Sequence, residues 1–166
     1  ENNVCFAVED GIHIALGIDT MEEENRIPAG LIKMSNEVEA VVYLDSRYVI
    51  GPESAHLNIS GISGLATKTS YAMFILQSLL QTTNSEDIAV IILNVKHGDL
   101  LQIDKEPTEL NEAQKALWIK LGLEPKPFEN VHYFCPRAKN GTANSFNVPD
   151  DHRVFAYTLE DSINKL

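Results

Sequence analysis

One segment constrains the fold of this chain more than any other: residues 56–80, HLNISGISGLATKTSYAMFILQSLL. A short apolar run enters a turn marked by Gly61 and Gly64, passes Thr67, Lys68, Thr69 and Ser70, and continues into a stretch with helical spacing. Ala72, Ile75, Leu76, Leu79 and Leu80 fall on one helical face, and Met73 and Phe74 widen it. A helix apolar over so much of its circumference must be buried. Strand, glycine turn and buried helix in that order predict an α/β layer.

The same order makes a phosphate site for a physical reason. Unpaired N–H groups and the positive end of the helix dipole point to one place, and glycine lets the backbone come close. A lysine there reaches the outer phosphates, and the next hydroxyl can hold Mg²⁺. Gly61, Ser63, Gly64, Thr67, Lys68, Thr69 and Ser70 supply such groups. The strict pattern is missed by one residue. Aligned on Lys68 and Thr69, Ile62 and Thr67 stand where glycines belong; aligned on Gly61, Ala66 and Thr67 stand at the second glycine and the lysine. Two readings stand from spacing alone. Either the loop binds phosphate, or the glycines shape a turn, Thr67 caps the helix and Lys68 is solvated.

Residues 88–95 are apolar apart from Asn94 and rich in Ile and Val, the pattern of a strand buried on both faces. A second helix is predicted to open at Asn111 with Gln114 completing a capping box, to bury Ala113, Leu117 and Leu121, and to stop at Gly122. Residues 131–135 and 153–158 are further strand candidates, separated by a polar loop.

Upstream the pattern changes. Residues 4–8 and 12–18 flank Glu9-Asp10-Gly11 as if in a hairpin, and residues 26–34 and 39–44 add strand candidates, with Pro28 at an edge or entry. Several short strands without helical periodicity predict a small antiparallel barrel over residues 1–55. That segment carries eleven acidic against three basic side chains, whereas residues 56–166 carry thirteen against ten. An acidic surface of this kind gives no general affinity for nucleic acid, which needs a local basic feature. Cys5 and Cys135, far apart and in apolar segments without metal-ligand spacing, are expected to be buried free thiols of a reducing compartment. With no membrane-length apolar window and no leader pattern, a cytoplasmic protein is expected. The chain lacks an initiating Met, and Thr158 and Asp161 open a capped helix near its end, so a piece of a longer protein is expected.

The run GPESAHLNISGISGLATKTSYAMFILQSLL, followed by IILNVKHGDLLQID and LGLEPKPFENVHYFCPR, resembles HerA-like ATPases of the FtsK–HerA group of P-loop motors. The resemblance covers nearly the whole chain, including a small β-barrel before the ATPase core. It implies a β-barrel over residues 1–55 followed by the first half of a RecA-like P-loop core over residues 56–166. The function implied is the ATP-binding part of a ring-forming, hexameric DNA translocase or helicase, with a partner nuclease. By the same resemblance Gly61, Ser63, Gly64, Thr67, Lys68, Thr69 and Ser70 bind ATP, Lys68 is catalytic, and Thr69 (or Ser70) ligates Mg²⁺. Lys96, His97 and Asp99 occupy a polar motif near the nucleotide. The Gly-Lys pair is missing and Asn94 stands where a carboxylate is usual, so a complete motor is not expected from this chain alone. The alternatives are a nucleotide-binding assembly module that does not hydrolyse ATP, or a β-barrel interaction module.

Other residues carry weaker signals. His13, His56, His132 and His152 are scattered singly and expected to be structural or solvated. Ser63, with Asp99 and His132 in order behind it, resembles a nucleophile elbow with its second glycine one place early. The acidic run at Glu22, Glu23 and Glu24 with Asp19 is expected to be a solvated loop, and Trp118 a packing residue. Arg137 and Lys139 beside Asn140-Gly141 form the one modestly basic loop.

Overall fold

The computed structural model describes residues 4–51, 55–62, 67–83, 87–94, 100–107, 109–144 and 148–155. They form two compact units, Glu1–Ala89 with Asn111–Pro125, and Val90–Leu110 with Lys126–Leu166. In the first unit a helix α1 (Glu9–Leu16) and two short 3-10 turns precede the strands β1 (Arg26–Lys33) and β2 (Glu39–Asp45). A one-turn helix α2 (Ser46–Val49), the long helix α3 (Thr67–Thr82) and α4 (Glu112–Lys120) follow.

Residues 9–16 are a helix and not half of a hairpin. Glu9 and Asp10 sit in its first turn, where carboxylates favour the positive end of the dipole. Gly17 stops it at φ 71, and its N–H reaches back to the carbonyls of His13 and Ile14. Ile12 is buried on its inner side, and His13 Nε2 lies 3.0 Å from the carbonyl of Val41 on β2.

β1 and β2 pair antiparallel from Arg26↔Asp45 to Lys33↔Glu39, with a bulge between Pro28 and Gly30. Proline has no N–H for the ladder, and Gly30 takes φ 151, which a side chain would resist. The bulge leaves two carbonyls to α3. Ser78 Oγ donates to Pro28 O at 2.7 Å, and the Tyr71 hydroxyl donates to Ala29 O at 3.0 Å. α3 packs on β1, and Ile27, Ala29, Ala40, Ile75 and Leu79 are buried in this unit. Each large apolar side chain so buried contributes about 1.5–3 kcal/mol.

α4 opens with the expected capping box between Asn111 and Gln114. Its expected inner face is not buried: Ala113 and Leu117 are exposed, and Trp118 instead packs edge-on to Phe74, ring centroids 5.4 Å apart. Gln81 of α3 brackets Glu124 through both the N–H and the carbonyl, and Lys120 pairs with Glu39.

In the second unit β3 (Phe134–Pro136) pairs parallel with β4 (Arg153–Phe155), in the register Phe134↔Arg153 to Pro136↔Phe155. Tyr133 and Cys135 are its buried side chains. The loop after β3 folds back through an Arg137↔Ala143 bridge.

This architecture overturns the expected barrel followed by a partial RecA-like core. Among the described residues there are two sheets of two strands each and no closed barrel. With residues 9–16 helical and residues 4–8 unpaired, only β1 and β2 remain, too few to close a barrel. The core expectation fails at residues 56–60 and 88–94, neither of which joins a sheet. Ile91 and Leu93 are more than four-fifths exposed. An apolar run shows hydrophobicity but not pairing, and a parallel strand exists only where a neighbour forms beside it.

Candidate functional site

The first turn of α3 consists of Thr67, Lys68, Thr69 and Ser70. Its leading N–H groups have no intrahelical partner, and the helix is long enough for a full dipole. Lys68 folds back over the incoming chain, its Nζ donating to Gly61 O at 3.1 Å. The lysine stem lies flat on the glycine: a Cβ added at Gly61 would sit 3.0 Å from Lys68 Cγ and 3.6 Å from Thr67 Oγ1. Gly61, Thr67 and Lys68 therefore meet in space, because the missing side chain at position 61 leaves room for the stem. Thr69 and Ser70 stay exposed in the same turn.

This arrangement can bind an anion. A carbonyl oxygen is a weak hold on an ammonium group, and no carboxylate pairs with Lys68 among the described residues. The ammonium can exchange Gly61 O, a neutral acceptor, for a phosphate oxygen whose charge adds a direct Coulomb attraction. Ser63 and Gly64 lie outside the described residues, as do Lys96, His97 and Asp99. The nucleophile-elbow arrangement rests on two of these, and its third member, His132, is exposed.

Other sequence-selected residues have structural duties. His13 holds the β2 backbone, and His152 Nδ1 lies 2.6 Å from Pro149 O. Glu22 accepts from Asn25 in the acidic turn, and Glu23 and Glu24 are exposed. Cys135 is buried as expected, but Cys5 is exposed. No helix among the described residues is long and apolar enough to cross a membrane.

A second cluster had no signal in the sequence. In the second unit the Tyr133 hydroxyl donates to Asp104 Oδ1 at 2.7 Å, and Lys105 Nζ donates to Asp104 Oδ2 at 2.8 Å. The Lys105 bond, then the Tyr133 bond, hold the Asp104 carboxyl below the usual carboxylate range, while the same pairing raises Lys105. Burial, reinforced by the Asp104 bond, pushes the Tyr133 phenol up to about 12. Lys105 also lines a cavity of about 300 Å³ with Leu101, Pro149, Asp150 and Asp151. With Asp104 ionised, Lys105 charged and Tyr133 neutral, the cluster is fully paired and offers no free acid or base.

No family model, curated protein or solved structure matches the chain.

Proposed function

We propose that this chain binds the phosphates of ATP, with Mg²⁺, through residues 61–70, as the ATP-binding part of a HerA-like DNA-translocating ATPase of the cytoplasm. The observation that carries the binding role is the Lys68 ammonium at the N-terminus of a 16-residue helix, which among the described residues donates to Gly61 O and pairs with no carboxylate. In this role Lys68 neutralises the outer phosphates, Thr69 or Ser70 supplies a hydroxyl to Mg²⁺, and the first turn of α3 receives the phosphate oxygens. A DNA substrate, a hexameric ring and a partner nuclease rest on the sequence resemblance alone. One observation favours a module that holds nucleotide without hydrolysing it. Residues 88–94 form no strand, so no strand there brings an acid to activate water.

Calorimetry of Mg²⁺–ATP binding, with Lys68→Ala in parallel, tests the site. Loss of a charge-assisted bond worth about 1.5–3 kcal/mol should weaken binding at least tenfold. Withdrawing Mg²⁺ should weaken the wild type more than a Thr69→Ala variant. An unchanged affinity in Lys68→Ala, or no binding by the wild type, would sink the proposal.

A further inference from the structure

Most of the described lysines and arginines of this acidic protein are engaged. Lys33, Arg47, Lys105, Lys115, Lys120 and Lys126 pair with carboxylates. Arg26 donates to the carbonyls of Ile18 and Met21, and Lys68 to that of Gly61. Among the described residues only Arg137, Lys139 and Arg153 have neither an ion pair nor a side-chain hydrogen bond. All three belong to the β3–β4 sheet or to the turn that leaves it. Asp150 and Asp151, the acids nearest Arg153 in sequence, instead line the cavity beside Lys105.

Phe134 and Pro136 project from one face of β3 because strand side chains alternate, while Cys135 between them is buried on the other. Their register partners Arg153 and Phe155 project on the same side. Phe134 is 60% and Phe155 43% exposed, and the Arg153 guanidinium lies 5.8 Å from the Phe134 ring centroid. Arg137 follows at the strand end, where its N–H holds Phe155 O at 2.9 Å, and Lys139 sits on the exposed turn beyond. Two open aromatic rings and the Arg153 guanidinium thus share one face of a small sheet, and two further cations lie in the turn that leaves β3.

We propose that this face is a docking surface for single-stranded nucleic acid. Aromatic rings stack unpaired bases regardless of sequence, and cations beside them follow the phosphates. A duplex keeps its bases stacked on one another and offers these rings nothing. An acidic peptide would satisfy the cations but leave Phe134 and Phe155 without a partner. The surface is local and does not depend on the Lys68 site.

The test is fluorescence anisotropy of the full chain with a labelled oligothymidine of about ten nucleotides at low salt. Three phosphate contacts predict a log–log salt slope of about −2. Phe155→Ala should weaken binding by about tenfold or more, and Phe155→Tyr should restore it. Arg137→Gln with Lys139→Gln should flatten the slope to about −0.7. Lys115→Gln, a cation on α4, should change nothing, and circular dichroism checks that each variant folds. Any of three results would overturn the proposal: no binding at low salt, a duplex of the same length bound as tightly, or Phe155→Ala binding like wild type while folded. Binding of a poly-glutamate peptide in place of the oligonucleotide would also overturn it and assign the face to acidic protein.

Discussion

Tyr133 stays neutral well past the range of an ordinary phenol, because it is buried and its hydroxyl is committed to Asp104. Its folded value near 12 lies above the ordinary 10.0, so its contribution to stability is fully present below about pH 10 and is lost as pH rises toward 12. Asp104 runs the other way. Its lowered folded value gives stability that is present above the ordinary 3.8 and lost as pH falls through the folded value. Tyr133→Phe should therefore cost about 1–2 kcal/mol near neutrality, because a charged acceptor loses a donor. That difference from wild type should shrink between pH 10 and 12, measured by denaturant unfolding across the range. A constant difference through that window would mean the hydroxyl contributes only its volume. Residues 104 and 133 are 29 positions apart, and nothing in local spacing links a tyrosine to such a partner. Gly61 and Lys68 are seven positions apart, near enough in sequence for spacing to single out both residues, although not the bond between them.

At the scale of elements, α3 is anchored by polar groups that its apolar pattern does not show. Ser78 is fully buried, and its hydroxyl reaches the carbonyl of Pro28, left free by the bulge in β1. Ser78→Ala would leave that carbonyl buried without a donor and should cost about 1–3 kcal/mol. Tyr71→Phe removes the neighbouring bond to Ala29 O, but the ring is 41% exposed and water can replace it, so the loss should be smaller. Urea unfolding followed by circular dichroism should show a lower midpoint at unchanged slope for Ser78→Ala. Equal losses in the two variants would remove burial as the deciding factor. The same contrast explains which elements were legible. α3 and α4 carry local signatures, a periodic apolar face and an Asn111–Gln114 capping box, and both form. α1 is not legible in the sequence, because an Asp-Gly step between apolar residues fits a hairpin and a helix start alike. The decision falls to Gly17 and to the packing of α1 on β2. Residues 88–94 have strand composition, but pairing is a property of neighbours, and none forms beside them.

At the scale of the whole molecule, each of the two units has its own small buried set. Ile18, Ile27, Ala40, Ile75 and Leu79 belong to the first, and Tyr133 and Cys135 to the second. The probes are already divided between them. The single tryptophan, Trp118, lies in the first unit and reports its packing through Phe74. Cys135 lies in the second, and in a Cys5→Ser background its thiol reports exposure of that unit alone. Ile27 is completely buried, so Ile27→Val should remove a methylene from the first core and cost about 0.5–1.5 kcal/mol. The midpoint followed by Trp118 fluorescence should move to lower denaturant, while the midpoint of Cys135 labelling stays where it was. Two transitions that separate in this way mean that the units unfold independently and that a single free energy of unfolding does not describe the chain. If both probes shift together, the units form one cooperative system, and a change at the Lys68 site can reach the β3–β4 sheet through folding stability alone.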